Sequence, residues 1–198
     1  MGVFEQGPRI DEGPPRPKES AYAYLNRSAR PDAEQERARI EDWFERYPAA
    51  EGRELALRLR SRLDDQHRAA LFELRLHELL LRSGHHLAIE PKLAHSWKSP
   101  DFLIDGQVYL EAVMAAGADL GTVLKRKANR YGTLDLPFVI AVQWAGGEEL
   151  QQVLDKLWHG PRGPQRRGVS AVLAVDPKNM RLVHNPWADR PLETALFP

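Results

Sequence analysis

The spacing of apolar residues along the chain changes near residue 84. Before that point, strong helix formers lie between Pro31 and Pro48, and leucines then recur every three or four residues. This spacing predicts helices over residues 32–47 and 51–83. Asp64 and Asp65 are expected to divide the second region, and Gly84 is expected to end it.

Beyond residue 84, short alternating or apolar runs predict strands, and two stretches return to helical spacing. The predicted strands are residues 86–90, 101–104, 108–113, 137–142, 169–175 and 180–184, and the predicted helices are 120–131 and 148–158. The order helix, strand, strand, strand, helix, strand predicts a mixed α/β fold with a central mixed sheet flanked by helices.

Three segments are expected along the chain. Residues 1–20 are rich in proline and glycine, and because proline removes backbone donors we expect a flexible tail there. Residues 21–65 are expected to form an N-terminal helical addition. Residues 66–198 are expected to form the α/β core with C-terminal strands.

Composition excludes several classes of protein and site. Lys and Arg together number 28, as do Asp and Glu, so the chain lacks the overall positive charge of a histone-like protein, although a local basic groove stays open. The absence of cysteine excludes disulfides, thiolate metal sites and a cysteine nucleophile. No apolar run resembles a secretory signal or reaches the roughly 18 residues of a membrane span. We therefore expect a cytoplasmic protein with no membrane partner, and the Arg, Ala and Pro content suggests a GC-rich bacterial genome.

The most informative stretch is a predicted hairpin that turns at Asp105-Gly106. A two-residue loop would put Asp101 and Glu111 on opposite faces, whereas a three-residue loop would pair them. The three-residue loop segregates apolar side chains cleanly, which favours it; one face then holds Phe102, Ile104, Val108 and Leu110. The two carboxylates would lie side by side, with Cβ atoms about 5 Å apart.

Adjacent carboxylates repel each other, so such pairs are exposed to water, share a proton or coordinate a hard cation such as Mg²⁺. The pattern alone allows two interpretations, a pair of solvated acids at a strand end and a metal site. This stretch resembles the signature of the PD-(D/E)XK nuclease superfamily, because Pro100-Asp101 is followed, after nine further residues, by Glu111-Ala112-Val113. The order of elements over residues 66–143 is also similar to the core of that superfamily, and the resemblance implies a restriction-endonuclease-like fold.

The resemblance also implies a metal site. Asp101 and Glu111 would hold Mg²⁺ or Mn²⁺, with the carbonyl oxygen of Ala112 as a further ligand. Many members of the superfamily add a glutamate from the helix before the first strand. Glu73 fits that position, and Glu78 is its rival on the same helix. A carboxylate at such a boundary can also be simply solvated.

The superfamily pattern has a lysine two residues after the glutamate, where this sequence has Val113. Either the domain is inactive or the lysine comes from elsewhere. In the helix predicted over residues 120–131, Lys127 falls within an apolar stripe and Lys125 points away. Lys127 would either reach the carboxylate pair, as in superfamily members whose lysine has moved to that helix, or pack its stem and extend its ammonium to solvent. The stripe consists of Leu120, Val123, Leu124, Ala128 and Tyr131.

Four arginines are candidate contacts for phosphate groups of a nucleic acid. Arg130 follows Lys127, and the loop over residues 160–168, rich in glycine and proline, carries Arg162, Arg166 and Arg167. The same loop could be a solvated connection between a helix and a strand.

These observations lead to the hypothesis of a metal-dependent nuclease that hydrolyses phosphodiester bonds in nucleic acid, with DNA as the expected substrate. Asp101, Glu111, Lys127 and Glu73 would form its site. One alternative is a catalytically inactive nuclease-fold module that binds nucleic acid or a protein partner. Another is a regulatory or partner-binding protein in which the two hairpin acids are coincidental. The sequence predicts no oligomeric state.

Overall fold

The computed structural model describes residues 2–115, 120–144, 149–160, 163–176 and 180–193. Contacts within the chain divide it into two compact units, Met1–Leu79 and Leu80–Pro198. The sequence places the start of the core at residue 66; in the structure, the helix that begins at Asp64 belongs to the first unit as far as Leu79. No helix among the described residues is long and apolar enough to cross a membrane.

The N-terminal unit is helical. It contains α1 (Ala21–Arg27), α2 (Pro31–Glu45), α3 (Gly52–Leu59) and most of α4 (Asp64–Arg82). The predicted break in the second helical region is confirmed, but it precedes the two aspartates. Asp64 and Asp65 lie in the first turn of α4, where negative charge is favourable, and Asp64 accepts the N–H of Ala21 at 2.8 Å.

The first residues of the chain pack onto this helical unit, whereas the sequence predicts a flexible tail over residues 1–20. Val3 and Phe4 are buried, and the Glu41 carboxylate accepts their two N–H groups at 2.9 and 2.8 Å. Arg60 donates to the carbonyl of Val3 at 3.0 Å. Two buried apolar side chains and these hydrogen bonds outweigh the effect of the prolines that follow.

The C-terminal unit is built on a six-stranded mixed sheet with the order β1-β2-β3-β4-β7-β8. Its strands are β1 (Leu87–Ile89), β2 (Phe102–Ile104), β3 (Val108–Met114), β4 (Phe138–Gln143), β7 (Ala171–Val175) and β8 (Met180–His184). β3, β4 and β7 run parallel, and the other pairs are antiparallel. The order α4, β1, β2, β3, α5, β4 confirms the predicted mixed α/β fold with its N-terminal helical addition.

Two helices pack on one face of this sheet. α5 (Leu120–Ala128) and α6 (Glu149–Trp158) bury apolar side chains in one cluster with the sheet, including Leu124, Leu154 and Ile140. α5 ends three residues earlier than predicted, and the segment from Asn129 leads to Gly132, which has a positive φ of 71°. The predicted loop after α6 contains a small hairpin of β5 (His159–Gly160) and β6 (Gly163–Pro164).

Candidate functional site

The hairpin that carries the two candidate carboxylates has the predicted three-residue loop. Phe102 pairs with Leu110 and Ile104 with Val108, so Asp105-Gly106-Gln107 form the turn. Asp105 and Gly106 both have positive φ, at 52° and 68°, as the two central residues of a type I′ turn do, and the Gln107 N–H donates to the Ile104 carbonyl at 2.8 Å. Continuing the register by one residue places Asp101 opposite Glu111.

Asp101 directly precedes β2 and continues the hydrogen bonding between β2 and β3 by one further bond. Its Oδ2 accepts the backbone N–H of Ala112 at 2.6 Å. The carboxylate thereby occupies a place that a backbone carbonyl would take if β2 were longer. This bond fixes Asp101 against β3, directly beside the residue that follows Glu111.

Glu111 is the centre of a buried polar network. Its side chain is 2% exposed, and its Oε1 accepts hydrogen bonds from Lys127 Nζ and from Arg130 Nη1, the latter at 3.3 Å. Its Oε2 accepts a hydrogen bond from the Tyr131 hydroxyl. A buried carboxylate without such partners would destabilise the fold by several kcal/mol, so these donors explain how Glu111 is tolerated in the sheet.

The Tyr131 hydroxyl remains protonated in this network. Burial raises its pKa far above the ordinary value of 10, and the negative charges of Glu111 and Asp101 raise the pKa further. Tyr131 therefore acts as a hydrogen-bond donor to Glu111. Helical spacing predicts Tyr131 in the apolar stripe with Lys127, but such a pattern gives no sign of the contact that its hydroxyl makes.

Lys127 reaches Glu111 because of its place on α5. Leu120, Val123 and Leu124 are buried, and Lys127 follows them at helical spacing, whereas Lys125 is exposed. The side chain of Lys127 is 16% exposed, so its ammonium lies at the rim of the buried network. Val113, at the position of the lysine in the nuclease signature, is buried in the apolar cluster with α5 and α6.

Glu73 and Glu78 lie in the N-terminal unit, where each pairs with an arginine. Arg58 donates two hydrogen bonds to Glu73, at 2.6 and 3.0 Å, and the Tyr47 hydroxyl donates a third at 3.1 Å. Arg46 binds Glu78 through two bonds of 2.9 and 2.8 Å. Both glutamates are buried, so neither is the solvated side chain that the sequence leaves open. The ligand role of Glu73 stays a prediction.

The candidate phosphate contacts are divided between two places in the C-terminal unit. Arg130 lies at Glu111 with a side chain that is 40% exposed. Arg166 donates to Asn129 Oδ1 at 3.4 Å, and Arg167 forms an ion pair of 2.6 Å with Asp189. Arg162 lies outside the described residues.

The donor chemistry of the pair suits a hard divalent cation, which prefers carboxylate and carbonyl oxygens. Asp101 and Glu111 supply two carboxylates from opposite positions of the hairpin, and Ala112, which follows Glu111, donates its N–H to Asp101. Within the described ranges, no three His, Cys, Asp or Glu side chains gather as a ready-made set of metal ligands. A cation here would need a backbone carbonyl and water, or a further ligand, to complete its coordination.

No protein-family model matches the chain, and no curated protein matches its sequence. Among solved structures, a chain of the CdiA-CT/CdiI toxin and immunity complex from Burkholderia pseudomallei is similar to it. The likeness covers 60% of this chain and 86% of that chain, with 18% identity and a TM-score of 0.42. A similarity at this level carries no conclusion about what this chain does.

Proposed function

We propose that this protein is a metal-dependent nuclease that hydrolyses phosphodiester bonds in nucleic acid, with DNA as the expected substrate. One observation carries the proposal: the ion pair between Lys127 and Glu111, next to Asp101. It brings to the carboxylate pair the positive charge that the nuclease signature expects at Val113. A lysine in this place supports catalysis because it can act on the same phosphate that a cation at the carboxylates would bind.

The expected cation is Mg²⁺ or Mn²⁺, held by Asp101, Glu111 and the Ala112 carbonyl. When bound, such a cation polarises a phosphoryl oxygen and lowers the pKa of a bound water.

The other roles belong to side chains that surround Glu111. Lys127 would orient the attacking water or offset the negative charge that develops on the phosphate as the water oxygen bonds to phosphorus. The attacking water gives up one proton to solvent, the bond from phosphorus to the leaving sugar oxygen breaks, and that oxygen takes up a proton from solvent. Tyr131 holds the Glu111 carboxylate in place through its hydroxyl. Arg130, the most exposed of the three donors, is the side chain best placed to contact the phosphodiester itself.

A second function is favoured by the completeness of the same network. Lys127, Arg130 and Tyr131 already satisfy both oxygens of Glu111 without a cation. A carboxylate paired in this way is stable in the fold with no chemistry attached. The corresponding function is an inactive nuclease-fold module that binds nucleic acid or a protein partner.

Calorimetric titration with Mn²⁺ distinguishes the two functions without knowledge of the substrate. We expect the wild-type protein to bind Mn²⁺ and Asp101→Ala to lose that binding. In parallel, single-stranded DNA, duplex DNA and RNA are incubated with Mg²⁺ or Mn²⁺ and with EDTA. We expect metal-dependent cleavage that falls by about 10²–10³-fold in Lys127→Ala.

The matched control is Lys125→Ala, which removes the same charge from the exposed side of the same helix and should leave cleavage unchanged. Circular dichroism of each variant establishes that it is folded. No Mn²⁺ binding at millimolar metal, with or without nucleic acid, would overturn the nuclease proposal and leave the inactive module.

A further inference from the structure

A pocket of about 740 Å³ lies in the C-terminal unit at the end of α5. Its walls come from the segment that follows α5, from the turn after β6 and from the segment near residue 190. This volume is in the range of sites that bind small ligands or single groups of larger ones. The candidate cation ligands Asp101 and Glu111 are not part of its lining.

The described lining of this pocket is positively charged. It includes three arginines and one acid, namely Arg166, Arg167, Arg190 and Asp189. Arg190 is fixed by a hydrogen bond from its Nε to the carbonyl of Leu134 at 2.8 Å. Asp189 pairs with Arg167 on the exposed rim, so its charge offsets only one of the three cations. A pocket of this composition selects an anion.

The guanidinium of Arg166 is incompletely paired within the described part of the protein. Its Nε is buried and makes no hydrogen bond to any described part of the protein, and its Nη1 makes only a long bond of 3.4 Å to Asn129. Buried donors in proteins are nearly always paired, and a guanidinium is best satisfied by a phosphate or carboxylate. An anion in the pocket would supply that partner.

The backbone holds Arg166 in this place at the expense of strain. Its φ is 54°, which is uncommon for a residue with a side chain. Its carbonyl accepts the N–H of Val169 at 2.9 Å and an amide hydrogen of the buried Asn185 at 3.2 Å. Strained backbone that is held by several bonds is typical of binding sites.

The segment after α5 connects this pocket with the carboxylate pair. Asn129 contacts Arg166, and the next residue, Arg130, contacts Glu111. A strand of nucleic acid whose phosphodiester lies at Glu111 would therefore run past Arg130 towards the pocket. We propose that the pocket binds a neighbouring phosphate of that same strand, an inference that rests on the proposed function for the identity of the strand.

Binding is tested apart from cleavage, by fluorescence anisotropy of labelled single-stranded and duplex DNA in EDTA at several salt concentrations. We expect Arg166→Gln and Arg167→Gln each to weaken binding and to reduce the slope of log K against log salt by about 1. The matched control is Arg181→Gln, because Arg181 is an exposed arginine on β8 outside the pocket. It should leave both affinity and slope unchanged.

Asp189→Asn provides the opposite change. It removes the acid from the described lining and releases Arg167, so we expect it to tighten binding several-fold, which a misfolded protein would not do. Equal affinities for wild type, Arg166→Gln, Arg167→Gln and Asp189→Asn would overturn the inference even if Mn²⁺ binding and cleavage are found. Wild-type protein with no affinity for either DNA would overturn it as well. Loss of affinity in the pocket variants without Mn²⁺ binding would support the pocket and overturn the nuclease proposal alone.

Discussion

Replacement of Lys127 by methionine tests whether the buried network has the structure described. Methionine keeps most of the apolar stem of Lys127 but removes the ammonium from Glu111, whose side chain is 2% exposed. Loss of one partner from a buried ion pair destabilises a protein by about 3–5 kcal/mol. Tyr131 and Arg130 remain as donors, so we expect Lys127→Met to lower the free energy of unfolding by about 2–3 kcal/mol.

The complementary change, Glu111→Gln, removes the charge and keeps the shape. The Tyr131 hydroxyl can still donate to the amide oxygen, and the 16% exposed Lys127 can turn its ammonium to water. We therefore expect a smaller loss of about 1–2 kcal/mol. The double variant, Lys127→Met with Glu111→Gln, leaves neither charge of this pair buried. Its free energy of unfolding should therefore fall by about 1–2 kcal/mol less than the sum of the two single decreases.

Equilibrium unfolding in urea, followed by tryptophan fluorescence, measures these changes. Four of the five tryptophans, all except Trp43, belong to the C-terminal unit, which contains the network. Lys125→Met serves as the control on the exposed side of α5 and should change the free energy by less than about 0.5 kcal/mol. Single losses that add within about 0.5 kcal/mol would show that Lys127 and Glu111 are not in direct contact, because residues in contact should be coupled.

Three further changes test other parts of the structure. Tyr131→Phe should cost about 1–2 kcal/mol in urea unfolding, since it leaves one oxygen of Glu111 without its donor; no change would contradict the hydrogen bond. Burial lowers the pKa of the His77 imidazole from 6.5 to about 4. Between these pH values the imidazole is protonated in the unfolded chain but neutral in the folded protein, so the free energy of unfolding falls as the pH drops. His77→Gln should remove that part of the pH dependence, roughly 2–3 kcal/mol between pH 7 and pH 4, and equal losses in variant and wild type would refute the assignment. Phe4→Ala should cost about 3–5 kcal/mol if Phe4 is packed as described, whereas Ile10→Ala, at an exposed position, should cost almost nothing in the same urea titration.

The hairpin and α5 could be predicted because their patterns are local. Alternation of apolar and polar residues on both sides of Asp105-Gly106 determines which loop length keeps one face apolar. The position of Lys127 follows from the 3.6-residue period of the helix, which also separates it from Lys125. Both predictions need only neighbouring residues along the chain, and the structure agrees with both.

The partners of the buried acids could not be predicted in the same way. Glu73 pairs with Arg58 and Tyr47, 15 and 26 residues away along the chain. Helical periodicity shows which face a glutamate occupies, but it does not show which of the many arginines on other helices will meet it. The packing of Phe4 could not be predicted either, because the short apolar pair Val3-Phe4 lies among glycines and prolines and gives no periodic signal.

The position of Glu111 within β3 also has a consequence for how the sheet assembles. β3 lies between β2 and β4, so it must find both partners in the correct alignment during folding. A slip of one residue would turn Glu111 to the opposite face, away from Lys127 and Tyr131, and would bury an unpaired charge. A slipped strand that is apolar throughout, such as β7 with the sequence AVLAV, would bury no charge. A single glutamate therefore makes misaligned pairings of β3 unstable and selects the native alignment as the chain folds.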